Sequence, residues 1–148
     1  LATCSAGFFC YYNIGKARLQ GLTFSGTQQI GSYEMRGSFD LLDPVNTQTG
    51  KTLSLRAKRA LTLGVDRRWA TWHFGGEIQA VGERFDDAAN TTLLPGYALL
   101  NLTAGNDIGK DWQLVMRVDN ALNARYQQVG QYPAPGSMFY AGLQWRPK

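Results

Sequence analysis

The sequence predicts an all-β fold: an antiparallel up-and-down transmembrane β-barrel segment of about seven or eight strands, the C-terminal part of a larger barrel. Three observations predict it. Seven stretches alternate apolar and polar residues with a period of two. The links between them alternate between short and long, as they do in barrels with turns at one end and loops at the other. The composition is 18% charged and 12% aromatic with Gly 17, where soluble domains carry about a quarter charged residues. Mean hydropathy is negative, and no apolar run approaches the roughly 20 residues of a membrane helix. A helical membrane protein is therefore excluded, whereas a barrel, whose two faces average out along each strand, is not.

The first stretch, "ARLQGLTFSGTQQI", sets Leu22 and Phe24 against Thr23, Ser25 and Thr27. The second, "YEMRGSFDL", sets Tyr33, Met35, Phe39 and Leu41 against Glu34, Arg36, Ser38 and Asp40. In the third, "KRALTLGVD", Leu61, Leu63 and Val65 oppose Thr62, Gly64 and Asp66. The fourth, "WATWHFGGEIQAVG", places Ala70, Trp72, Phe74, Ile78 and Ala80 opposite His73, Glu77 and Gln79. In "YALLNLTAGND" Ala98, Leu100, Leu102 and Ala104 oppose Asn101 and Thr103, and in "WQLVMRVDN" Trp112, Leu114, Met116 and Val118 oppose Gln113, Arg117 and Asp119. The last stretch sets Phe139, Ala141, Leu143 and Trp145 against Tyr140, Gly142 and Gln144. Stretches of about 9–13 residues suit a tilted membrane-spanning strand better than the 5–6 usual in soluble sheets.

Alternation alone fits a soluble sandwich as well as a barrel. The connections discriminate. The short ones are "IGS", roughly "RR", and "DIGKD"; the long ones are "DPVNTQTGKTLSLRA", "ERFDDAANTTLLPG" and "ALNARYQQVGQYPAPG". Strict alternation gathers every long loop at one end, the pattern of extracellular loops and periplasmic turns. The C-terminus is then periplasmic, the localisation is the bacterial outer membrane, and the segment with Cys4 and Cys10 lies outside. An odd strand count starting on the outer side implies earlier strands of a larger barrel, with residues 1–148 as a single segment of it.

The beginning, "LATCSAG", has neither Met nor a basic and apolar leader pattern; a removed leader or excision from a longer chain is expected. Cys4 and Cys10 are expected to form a disulfide, which requires an oxidising compartment. A zinc site would need more ligands than these and His73, so no metal site is expected. The net charge of +4 is spread over scattered basic residues, and no nucleic-acid partner is expected.

The stretches "YYNIGKARLQGLTFSG", "LRAKRALTLGVD", "AVGERFDD" and "VDNALNARYQQVGQYPAPGSMFYAGLQW" resemble, in order, the closing strands of TonB-dependent outer-membrane transporters, the cobalamin receptors most of all. The family pattern maps onto Asn13, Gly15, Lys16, Ala17 and Gly21, onto Arg56, Ala57 and Lys58, and onto Asn120, Leu122, Tyr126, Pro135 and Gly136. The resemblance implies a barrel of many more strands with an N-terminal plug, importing a scarce ligand such as cobalamin with energy from TonB. It implies no cofactor; calcium and the TonB contact would belong to regions outside these residues. One departure is the ending "RPK" after Trp145, where members usually finish on an aromatic residue.

The expected lumen-facing polar residues are Glu34, Arg36, Asp40, His73, Glu77, Arg117 and Asp119. They could anchor a plug, or simply hydrate the interior and pair across strands. His73 with Glu77 could serve acid–base chemistry, but without a nucleophile motif the expectation is an interior polar residue and no enzyme. Trp69, Trp72, Trp112 and Trp145 read as girdle aromatics. Ligand-binding candidates in the long loops are Arg84, Phe85, Asp86, Tyr126 and Tyr132, where aromatic faces would stack on a corrin or siderophore. Other readings are a siderophore receptor of the same family, a self-contained small barrel with a structural or adhesion role, and a soluble lipocalin-like binder. Alone, seven strands leave two open edges, so edge-to-edge self-association of the isolated piece is expected.

Overall fold

The computed structural model describes residues 15–147. Cys4, Cys10 and Asn13 lie outside the described residues. Among the described residues seven long strands form one antiparallel sheet: β1 (Ala17–Ile30), β2 (Tyr33–Asn46), β3 (Arg59–Trp69), β4 (Trp72–Val81), β7 (Tyr97–Ile108), β8 (Trp112–Asp119) and β11 (Met138–Trp145). Each pairs with the next in sequence, so the sheet is an unbroken meander. Two small hairpins interrupt the long loops, β5 (Arg84–Phe85) with β6 (Leu93–Leu94), and β9 (Gln127–Val129) with β10 (Tyr132–Pro133). The periodicity locates all seven long strands; the hairpins, too short to show a period, carry no such signal.

The register puts the alternation on two faces. Phe24, Phe39, Leu61, Ala80 and Ala98 are successive partners across five strands, and Val65, Gly76, Leu102, Val118 and Phe139 across another five. The opposite face holds Asp66, Gly75, Thr103, Arg117 and Tyr140 in one row. The apolar face is bare: Leu22 is 63% exposed and Phe139 69%. Among the described residues the buried apolar side chains are Leu53, Leu94 and Pro44, all at the loop-bearing end. A soluble sandwich would bury this face in its core; here it is left exposed.

Two boundaries differ from the sequence expectation. The turn expected near Arg67 and Arg68 lies at Ala70 and Thr71, because Trp69 pairs with Trp72 and Ala70 takes a positive φ of 54°. Ala70 therefore belongs to the turn and not to the apolar face. β2 extends past Leu41 to Asn46. Beyond the Leu41–Arg59 pair its neighbour on that side is the following loop and no longer β3: Val45 bridges Thr52 and the Pro44 carbonyl accepts from the Leu53 amide at 2.8 Å, a border where Pro44, lacking an N–H, is tolerated.

Candidate functional site

The loop-bearing end is held together by the chain between β4 and β7. Its Asp86 carboxylate accepts a hydrogen bond from the Gly130 amide at 2.8 Å, and Arg84 Nη2 donates to the Gln127 carbonyl at 2.7 Å. Arg84 is only 6% exposed and lies over the Tyr97 ring, 5.5 Å from its centroid. Tyr97 in turn packs on Tyr126, with ring centroids 4.4 Å apart. On the other side the Phe85 carbonyl accepts from the Leu55 amide at 2.7 Å. Asn90 closes two bonds with Thr52, and Lys51 Nζ donates to the Ala89 carbonyl. The three long loops thus form one connected body, with residues 84–90 as its centre.

Asn120 fixes the base of the third loop. It is 3% exposed, takes a φ of 50°, and exchanges two hydrogen bonds with the backbone of Ala124. Its own amide donates to Asn101 Oδ1 at 3.0 Å. Asparagine suits this position because it tolerates the left-handed region and its carboxamide mimics a backbone turn. The bonding role of Asn120, like those of Asn90 and Gly130, is missed by sequence reasoning; an Asn at a strand end is the weak signal available.

Of the five loop candidates, Arg84 is buried with Nε and Nη2 donating to the Gln128 and Gln127 carbonyls while its Nη1 has no partner among the described residues, and Asp86 is committed to Gly130. Phe85 is half-buried. Tyr132 is 67% exposed, and with Tyr126, Gln128, Val129, Pro133, Ala134 and Pro135 it lines an open cavity of about 430 Å³. The structure brings Arg84 and Tyr126 together through Tyr97, and Tyr126 and Tyr132 together at the open cavity. Asp87 caps that central segment: its carboxylate accepts from the amides of Thr92 at 2.7 Å and Thr91 at 3.0 Å. The Thr92 amide above all, with further bonds from Thr91, holds its carboxyl below the usual carboxylate value despite some opposing desolvation.

The polar face carries two linked clusters. Arg36 forms an ion pair with Asp66 and reaches Glu77 at 3.5 Å, while Gln79 donates to Glu77 at 2.6 Å. Nearer the short turns, Arg68 Nε donates to His73 Nδ1 at 3.1 Å, and His73 Nε2 lies 2.9 Å from Asp107. Because an arginine N–H can only donate, Nδ1 is the acceptor and the ring proton sits on Nε2, toward Asp107. Both ring nitrogens are thereby occupied. Glu77 is four residues further along β4, roughly 13 Å at strand rise, so His73 and Glu77 do not form a pair. Asp40 accepts from Thr23, and Arg117 pairs with Asp119 at 3.1 Å and lies over Tyr140. Glu34 shares a row with Asp66 and lines a cavity of about 460 Å³ with His73 and Arg68.

The apolar face ends in aromatics at the turn-bearing side. Trp69 pairs with Trp72, and Trp112 with Trp145, the last two rings 6.4 Å apart. A sheet with one bare apolar face, one ion-paired polar face, aromatics along a border and all long loops at one end defines a section of β-barrel wall.

The chain belongs to the TonB dependent receptor-like β-barrel family, whose model matches residues 1–121. It is 24% identical over 145 residues to the vitamin B12 transporter BtuB of Photobacterium profundum, covering 98% of this chain and 24% of that protein. To the vitamin B12 transporter BtuB of Vibrio cholerae it is 26% identical over 140 residues, covering 90% of this chain and 22% of that one. Its fold is that of the ferric preacinetobactin receptor BauA of Acinetobacter baumannii, with a TM-score of 0.76 at 23% identity, over 87% of this chain and 22% of that one. The chain spans about a quarter of the length of the curated relatives it matches.

Proposed function

We propose that these residues form part of the barrel wall of an outer-membrane transporter that imports a scarce ligand, cobalamin first, with energy delivered through TonB. The carrying observation is the bare apolar face beside an internally paired polar face, inside a family of TonB dependent receptor-like barrels. In this reading lipid covers Leu22, Phe24, Phe39 and Phe139. The loop body faces the outside, the C-terminus is periplasmic, and the polar face surrounds a plug contributed by other parts of the protein. No bond is made or broken: the protein is a carrier and not an enzyme. Tyr126 and Tyr132, beside an open cavity, are the ligand-contact residues, and Arg84 and Asp86 position the loop that bears them. Phe85 holds the central segment against the first loop.

Cobalamin is favoured because the curated relatives aligned over 90–98% of this chain are vitamin B12 transporters. A siderophore receptor is the second reading; its support is the similarity to a ferric siderophore receptor, which is a likeness of fold alone. The test is uptake of labelled cyanocobalamin by cells expressing the complete protein, with and without TonB. TonB-dependent accumulation is the expected result. Uptake of a ferric siderophore but not cobalamin would transfer the reading to the second ligand. A native heat-modifiable band near 16 kDa would replace both with a small self-contained barrel.

A further inference from the structure

We propose that the outer rim above β1–β3 binds the phosphate-bearing headgroups of anionic lipid, an interaction that rests on the membrane reading above. Between residues 15–20 and 42–59 the chain carries Lys16, Arg18, Lys51, Arg56, Lys58 and Arg59 against one acid, Asp43. The neighbouring loop, residues 82–96, carries Arg84 against Glu83, Asp86 and Asp87. The third long loop, residues 120–137, carries Arg125 and no acid, so the basic excess is concentrated in the first sector of the rim.

The register decides which way two of these cations face. Leu22, Leu41 and Arg59 are successive partners in one row, and Leu61, two residues along from Arg59, is on the same apolar face. Arg18 lies four residues from Leu22 and is on that face too, as is Asp43. Arg18 and Asp43 pair at 2.8 Å. The Arg59 side chain, exposed, makes no hydrogen bond or ion pair among the described residues. A guanidinium unpaired among the described residues, on the apolar face one row above Phe24, Phe39 and Leu61, sits where the hydrocarbon ends and headgroups begin in the membrane reading. Each such cation strengthens attachment to anionic lipid by roughly five-fold. A phosphate there is bound by Arg59, with Arg18 partly neutralised by Asp43.

That arrangement makes a two-signed test. The intact protein, purified in detergent, is titrated with phosphatidylglycerol or phosphatidylcholine, and bound lipid is counted by native mass spectrometry. Arg59→Gln should weaken phosphatidylglycerol binding about five-fold and leave phosphatidylcholine unchanged. Asp43→Asn, which frees Arg18, should tighten it. Lys110→Gln, at the turn-bearing end, should change nothing. Unchanged phosphatidylglycerol binding in both rim variants would overturn the proposal, as would displacement of the lipid by inorganic phosphate at equal concentration. Heat-modifiable migration is measured on every sample: its loss in the unmodified protein would sink the membrane reading itself, a failure distinct from that of the rim.

Discussion

Asp86→Ala should loosen the third long loop without touching it in sequence. The perturbation removes the acceptor of the Gly130 amide, a 2.8 Å bond between a carboxylate and a half-buried backbone donor. Such charge-assisted bonds contribute about 1.5–3 kcal/mol, so local opening of residues 126–133 should become roughly ten- to a hundredfold more frequent. Hydrogen exchange of that segment, read by mass spectrometry on the intact protein, reports the change. Gly130 gives an independent handle. A Cβ there would fall onto the Asp86 carboxylate, while its φ is not in the left-handed region. Gly130→Ala should therefore displace the carboxylate by contact and reproduce the Asp86→Ala pattern. The double variant should be no worse than either single one, because both break the same bond. Faster exchange in neither variant, or fully additive effects, would refute the idea that the Asp86–Gly130 bond helps hold the two loops together.

Two further outcomes test other parts of the structure. A Cβ on Gly64 would come within 2.7 Å of Arg36 Nε and 2.8 Å of Cζ, so Gly64→Val should push the guanidinium off Asp66 and Glu77. Discounted for partial exposure, that costs about 1–2 kcal/mol; the midpoint of heat-modifiable unfolding should fall, and Arg36→Ala should abolish most of the difference between Gly64 and its variant. For Asp87 the native carboxyl lies below its ordinary value of 3.8, so its contribution to the loop is complete above that pH. It is lost as pH falls through the lower native value. Protease nicking of residues 82–96 should rise over that acid window, and Asp87→Asn should flatten the dependence.

The strands were legible because period-two alternation survives whatever lies on either side of a sheet. Phe24, Phe39 and Leu61 line up across β1, β2 and β3 as their spacing requires. The polar set of Glu34, Arg36, Asp40, His73, Glu77, Arg117 and Asp119 falls on one face for the same reason. What the alternation does not carry is partner choice. Arg36 reaches Asp66 across one strand boundary and Glu77 across two, 30 and 41 residues away, and only the register makes those separations short. The loops are less legible still. Arg84 and Asp86 read as exposed polar groups beside an aromatic, yet Arg84 is buried under Tyr97. Their partners are backbone groups of residues 127–130, and a backbone carbonyl has no signature in a sequence.

The polar face also says something about how an interior filler would be held. Arg36 lies flat over Gly64, and at Gly75 a Cβ would strike both the Thr103 hydroxyl and the Asp66 carboxylate. Glycines at these positions of the polar face let charged side chains run along the wall, where they meet each other, instead of projecting away from it. Arg36, Asp66 and Glu77 are paired within the wall, as are His73 and Asp107. Where wall charges are already paired, as those of Arg36, Asp66 and Glu77 are, a body beside them gains few strong new ion pairs, because each would first have to break an existing one. The proposed transporter needs that balance, since a plug held by many strong wall contacts would resist the pull that displaces it. The loop body follows the opposite rule. There Arg84, Asp86, Asn90 and Asn120 bond between or within loops, so the loop-bearing end is stitched together by contacts from one loop to the next.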